Sequence, residues 1–181
     1  IISYTELLHD GSITIEGKAR LVFQDSVVEM TSGGALYANI FVKDQAELIF
    51  ESSTLKSHAD DPANLFVYLT EEAKLIFNRS EGLHMLIASG NSRIQIHNST
   101  WAYSMPKFRG GGIRLSGSAQ ADVRNSTIGG IILDLPEEVS ANINGFRAGK
   151  FTHLDIQKDF ELKNSNLNAI LENTTILDDY L

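Results

Sequence analysis

A three-beat apolar stripe, small then aliphatic then bulky at every second residue, returns seven times along the chain. It reads Ala19-Leu21-Phe23, Ala46-Leu48-Phe50, Ala73-Leu75-Phe77, Ser92-Ile94-Ile96, Ala119-Ala121-Val123, Val139-Ala141-Ile143 and Leu167-Ala169-Leu171. Period-two alternation describes a strand with one buried face. Recurrence at anchor spacings of 27, 27, 19, 27, 20 and 28 residues describes stacked coils rather than a closed domain.

Two further columns accompany the stripe. Apolar pairs lie six and four positions before each anchor: Ile13/Ile15, Ile40/Val42, Val67/Leu69, Leu86/Ala88, Ile113/Leu115 and Leu133/Leu135. The last coil fits after a one-residue slip, as Phe160/Leu162. Three turn-like residues separate each pair from its stripe, among them Glu16-Gly17-Lys18, Lys43-Asp44-Gln45 and Ser89-Gly90-Asn91. A third column lies nine residues after the anchor, at Val28, Leu55, Trp101, Ile128, Ala148 and Ile176, with Gly82 the exception. Each coil therefore offers up to three short strands. Like stacked on like gives parallel sheets whose strands lie about 4.8 Å apart and a rod on the order of 30 Å long.

Because the strands keep register, variation in coil length falls at one corner, after the third strand. Excursions are expected there at Glu29 to Tyr37, Lys56 to Asn64, Ala102 to Gly110 and Gly149 to Lys158. Ser3-Tyr4-Thr5-Glu6 has the pattern of a capping box before Leu7-Leu8, which predicts a short helical cap at the start of the rod.

Composition narrows the function classes. With 15 basic against 23 acidic residues the net charge is −8, and such a surface repels phosphate backbones, so nucleic acid is not an expected partner. No stretch approaches the roughly 18 apolar residues of a membrane-spanning helix. The absence of cysteine excludes disulfides and thiolate metal sites. The chain starts at Ile1 without an initiator Met or a signal-peptide pattern, and reads as a single domain over residues 1–181 that is a processed form or a piece of a longer protein.

The stripe followed by Asn-Ser-Thr, as in Ile94 to Thr100 and Ala121 to Thr127, resembles the right-handed parallel β-helix repeat of the pectate-lyase-like superfamily. The resemblance covers nearly the whole chain and implies an all-β, right-handed solenoid of about seven coils; it does not imply an activity. Gly33-Gly34-Ala35-Leu36 also resembles one repeat motif of polymorphic outer-membrane autotransporters, whose partner Phe-x-x-Asn motif is missing because Phe23, Phe50 and Phe77 are followed by Ser at that offset.

Several residues invite a chemical reading. Sequons occur at Asn78, Asn98, Asn125 and Asn173. The sixth position of each coil, however, runs Asp25, Ser52, Arg79, Asn98, Asn125, Gly145, Asn173, and exchange among Asn, Asp and Gly points to a turn with positive φ. Glycan cleavage in the resembled superfamily uses paired carboxylates or carboxylate-bound Ca²⁺ with an arginine base. The nearest match is Arg93, His97, Asp122 and Arg124, outward on neighbouring coils. One carboxylate among three cationic groups reads better as a salt-bridged face than as a catalytic set. His9, His58, His84, His97 and His153 have no metal-ligand spacing, and no cofactor is expected.

Apolar residues on the outward parity carry the main functional expectation. Val22, Ile49 and Ile76 form one such stripe. Phe41, Phe66 and Tyr68, with Met85 and Ile87, form another. A stripe like this is covered by loops, by a partner protein or second copy of the chain, or by a glycan stacking on its aromatics. The expected role is a non-enzymatic scaffold outside the cell, at its surface or in the periplasm, that recognises protein or glycan. A carbohydrate-active lyase or hydrolase and a structural spacer in a larger surface assembly are the alternatives.

Overall fold

The computed structural model describes residues 1–33, 37–58, 64–82, 85–101, 112–124, 126–128, 131–134, 155–157, 161–163 and 175–177. Every strand among them pairs in parallel, and the strands form three sheets. Sheet A stacks β1 (Ile2–Ser3), β4 (Arg20–Gln24), β7 (Glu47–Glu51), β10 (Lys74–Asn78), β13 (Arg93–His97) and β16 (Gln120–Arg124). Sheet B stacks β2 (Glu6–Asp10), β5 (Val27–Thr31), β8 (Thr54–Ser57), β11 (Glu81–Gly82), β14 (Thr100–Trp101), β17 (Thr127–Ile128), β19 (Asp155–Gln157) and β21 (Thr175–Leu177). Sheet C stacks β3 (Ile13–Ile15), β6 (Tyr37–Val42), β9 (Asn64–Leu69), β12 (Met85–Ala88), β15 (Gly112–Ser116), β18 (Ile131–Asp134) and β20 (Glu161–Lys163). The chain passes from C to A to B and back, as in a β-solenoid. No helix among the described residues is long and apolar enough to cross a membrane.

Register follows the apolar columns. Leu21, Leu48, Leu75, Ile94 and Ala121 are successive partners, as are Phe23, Phe50, Phe77 and Ile96. From the second coil onward these inward residues are almost wholly buried and join one continuous core. The bulky column is a ring stack: Phe23–Phe50 at 5.0 Å and Phe50–Phe77 at 5.1 Å between centroids. At the next coil Ile96 is too small to continue it. Trp101, from sheet B, fills the space and meets Phe77 edge-on at 5.0 Å. This explains the gap at Gly82, the strand partner of Trp101: a Cβ there would lie 2.4 Å from the indole.

Two corners are made by left-handed residues. The middle residue of each described three-residue turn between C and A has positive φ: Gly17, Asp44, Glu71, Gly90 and Gly117. At Gly90 the stacking also demands the missing side chain, since a Cβ would sit 2.9 Å from the Glu71 amide nitrogen. Between A and B, Asp25, Ser52, Arg79 and Asn98 have φ of 48°, 50°, 50° and 51°, in line with the expectation, and Tyr4 joins them at 53°. Asn125, Gly145 and Asn173 lie outside the described residues.

Tyr, Ser and Arg have no intrinsic preference for this conformation, which costs about 1–2 kcal/mol. The buried serines that follow supply the compensation. The amide of Ser26 donates to Ser53 Oγ at 3.1 Å, that of Ser53 to Ser80 Oγ at 3.0 Å, that of Ser80 to Ser99 Oγ at 3.0 Å, and that of Ser99 to Ser126 Oγ at 3.1 Å. Ser26, Ser53, Ser80 and Ser99 each donate their hydroxyl to the carbonyl two residues earlier. The described coils from Ser26 to Ser126 are thereby tied each to the next at this bend, by hydrogen bonds worth about 1 kcal/mol each.

Four expectations are corrected. Residues 2–10 form no helical cap: Ile2 pairs with Phe23 and Leu7 with Val28, so the segment is a further partial coil, drawn into strands by the open edges of β4 and β5. The excursions expected from Glu29 and Lys56 start only after β5 and β8 end at Thr31 and Ser57, because Met30, two residues beyond Val28, is again inward and fully buried. Part of the last excursion is strand β19, where Ile156 rather than Ala148 pairs with Ile128 and Ile176; polar Asp155 and Gln157 flank it in the alternation a strand needs. Leu162 pairs with Leu133, not with Leu135 as the slipped alignment implies. The stripes at Val139 and Leu167 and the excursion at Ala102 to Gly110 lie outside the described residues.

Candidate functional site

The outward face of sheet A consists of three rows set by strand register. One runs Arg20, Glu47, Lys74, Arg93, Gln120; the next Val22, Ile49, Ile76, Gln95, Asp122; the third Gln24, Glu51, Asn78, His97, Arg124. Charges in the outer rows pair locally. Arg20 Nε lies 3.1 Å from Glu47, and Glu51 accepts from Asn78 Nδ2 at 3.0 Å and pairs with Arg79. Val22, Ile49 and Ile76 are brought together, but between these rows Ile49 is only 6% exposed and its neighbours are half-buried. Little apolar surface is left on this face.

The four residues weighed for catalysis divide. His97 Nε2 lies 3.4 Å from Asp122 Oδ2, an ion-pair separation without hydrogen-bond alignment. Arg93 stands in the opposite outer row, four residues along the same strand from His97, about 13 Å away at the usual strand rise. Arg124 pairs with His97 in backbone register. Among the described residues no three His, Asp or Glu side chains form a group that could hold a metal ion.

Carboxylates do gather at a place the strand parity does not reach. The turns between C and A line an open groove of about 510 Å³ with Asp44, Glu71 and Glu72, beside Gly17, Gly90 and Asn91. Asp44 Oδ2 accepts from the Gly17 amide at 2.7 Å, and Glu72 Oε2 from Gln45 Nε2 at 2.9 Å. A hydrogen bond between Glu71 and the Asp44 carboxyl, then the charge of that carboxyl, hold Glu71 above its ordinary pKa. The signal was present in the second residue of each three-residue turn, which stacks on its equivalents in neighbouring coils.

Sheet C presents a different surface. Its outward rows on β6, β9 and β12 include Tyr37, Asn39, Phe41, Phe66, Tyr68, Met85 and Ile87. Phe41 and Tyr68, partners on adjacent coils, stack at 5.2 Å with an interplanar angle of 16°. Phe66 lies 6.0 Å from Tyr68, and Tyr37 meets Phe66 at 5.4 Å and 60°. Lys43 Nζ stands 5.6 Å from the Phe41 ring centroid. The four rings form one connected patch, half-buried among themselves and open at Tyr37, which is 48% exposed.

The arrangement of the rings limits what they can bind. A sugar stacks on a free aromatic face, whereas Phe41 and Tyr68 each turn one face to the other. With Lys43 also over Phe41, the patch offers ring edges and apolar rims. No family model, curated protein or solved structure matches the chain.

Proposed function

We propose that the chain is a non-enzymatic scaffold, a right-handed parallel β-helix of about seven coils of the pectate-lyase-like kind, working outside the cell, at its surface or in the periplasm. Its task is to recognise another protein through the outward face of sheet C. One observation carries the reading: the Tyr37, Phe41, Phe66 and Tyr68 rings form a connected, partly open patch on rigid strands. Rigid placement of aromatic anchors is the usual basis of a protein-binding hot spot. The all-strand, parallel, in-register stacking supports the β-helix part, and the four sequons accord with an extracellular setting.

Peptide display against the immobilised chain tests this, with a glycan array as the rival screen. Selected peptides are expected to bind the parent and to lose at least tenfold in affinity on a Phe41→Lys, Tyr68→Lys variant that melts cooperatively. Glycan binding that is lost on the same variant, with no peptide selected, would overturn it.

A polysaccharide lyase or hydrolase is the second reading, favoured by the Asp44–Glu71 carboxyl pair over the corner groove, since such pairs serve acid and base roles in glycan cleavage. Polysaccharide cleavage abolished by Glu71→Gln would establish it in place of the first.

A further inference from the structure

We infer that the segment recognised by sheet C is proline-rich and bound in the polyproline II conformation. This rests on reading sheet C as the docking face and adds the chemistry of its partner. The backbone beneath the patch is already in use: β6 pairs with β3 and β9, β9 with β6 and β12, and β12 with β9 and β15. A ligand on this face finds no strand edge to extend, so it is held by side chains alone. Those side chains are the four rings together with Asn39, Met85 and Ile87. Charge does not choose the ligand, because Glu16 and Asp134 border the patch as well as Lys43 and Arg114.

The polar tips of the patch make the choice. Asn39 spends its backbone amide on Ser12 Oγ. Its carboxamide and the Tyr37 and Tyr68 hydroxyls take no hydrogen-bond partner among the described residues. Covering such donors with an apolar ligand that brings no acceptor is costly. A docked helix uses its carbonyls internally, whereas a polyproline II segment has no internal hydrogen bonds and leaves every carbonyl free to accept. Its proline rings pack on aromatic side chains, and its fixed φ lowers the ordering cost of a small contact. Size agrees: Tyr37 to Phe41 spans about 13 Å along β6, and β6 to β12 about 10 Å across the strands. At about 3.1 Å per residue, a ligand of about five residues covers that length. The area is well under the roughly 800 Å² per partner of a standard interface between folded proteins.

The experiment selects from two displayed peptide libraries of equal diversity, one with proline fixed at every third position and one without proline. Fluorescence anisotropy then follows the leading peptide of each on the parent chain, on Asn39→Ala, Tyr68→Phe, and on Phe41→Lys, Tyr68→Lys, with thermal melts confirming that each is folded. The proline peptide is expected to bind at least tenfold more tightly than the proline-free one. It is expected to weaken at least threefold on Asn39→Ala, Tyr68→Phe, which keeps all four rings, and to be lost on Phe41→Lys, Tyr68→Lys. Equal binding of the two peptides, both lost on Phe41→Lys, Tyr68→Lys, would overturn the proline-rich partner while leaving the docking face intact. Proline-peptide binding unchanged on Asn39→Ala, Tyr68→Phe would overturn it as well, since the free carbonyls are then not what is recognised. Failure of both libraries to yield a binder would overturn the docking face together with its partner.

Discussion

Sheets A and C belong to the same coils and meet across a three-residue turn, yet their outward faces are chemically opposite. On A, Arg20 pairs with Glu47, and Glu51 with Asn78 and Arg79, and these paired charges flank the buried Ile49. On β6, β9 and β12 of C, the outward positions hold stacked rings and no carboxylate. A solenoid repeats its inward columns because the core demands it, while each outward row is free to be solvated or adhesive. The contrast teaches that function in such a fold is read from the rows that depart from the solvated pattern.

The largest expected effect tests the parity on which both faces depend. Leu48→Ala, beneath sheet A, should cost about 2–5 kcal/mol, as truncation of a fully buried Leu does. Glu47→Ala, one residue away and outward, should stay within about 1 kcal/mol, since it breaks only an exposed ion pair. Chemical denaturation of the two variants measures both; equal losses would remove the distinction between core and face.

Next in size is a double-mutant cycle on each face. Phe41→Ala with Tyr68→Ala should reveal a coupling of about 0.5–1.5 kcal/mol from the stacked pair. Arg20→Ala with Glu47→Ala should give less than about 0.5 kcal/mol, and that fraction should vanish in high salt. A larger coupling on A than on C would invert the comparison.

A stabilising change is expected just beneath β13. Ser92 occupies the column of Ala46, Ala73 and Ala119, wholly buried, with its hydroxyl unpaired. Ser92→Ala should raise stability by about 1 kcal/mol in denaturant melts, because it removes an unsatisfied buried hydroxyl at no cost in packing.

The smallest effect lies at the corner between the faces and is a dependence on pH. Glu71 has its pKa raised above 4.5 by Asp44, so its favourable contribution is present below about pH 4.5 and lost as pH rises through the folded value. Glu71→Gln should therefore gain in melting temperature relative to the parent as pH is raised from about 4 to about 7. Glu29 is the opposite case: its hydrogen bond to Lys56 lowers its pKa, so its contribution is lost as pH falls. Glu29→Gln should show its deficit at neutral pH and lose it in acid. Parallel trends for the two variants would contradict the assignment.

Much of this architecture is legible in the residues, for a physical reason. Inward columns at Leu21, Leu48 and Leu75 or Phe23, Phe50 and Phe77 are constrained by burial, and burial leaves a periodic trace. Gly82 breaks the column, and only the three-dimensional position of Trp101 shows why. The positive φ of Asp25 and Asn98 follows from residue type, but Tyr4, Ser52 and Arg79 adopt it because the coil and its serine ladder impose it. Ser3 to Glu6 reads locally as a helix start, and the unpaired edges of β4 and β5 override that propensity. The Asp44–Glu71 pairing is invisible to strand parity because it arises between turns of different coils.

The central claim is that sheet C, not sheet A, is the working surface, and one affinity comparison tests it most directly. A display-selected peptide is titrated into the parent, into Phe41→Lys, Tyr68→Lys and into Val22→Lys, Ile76→Lys, with thermal melts confirming that each variant is folded. The account predicts at least a tenfold loss of affinity for the sheet C variant and parental affinity for the sheet A variant. Retained binding on the sheet C variant, with loss on the sheet A variant, would contradict it.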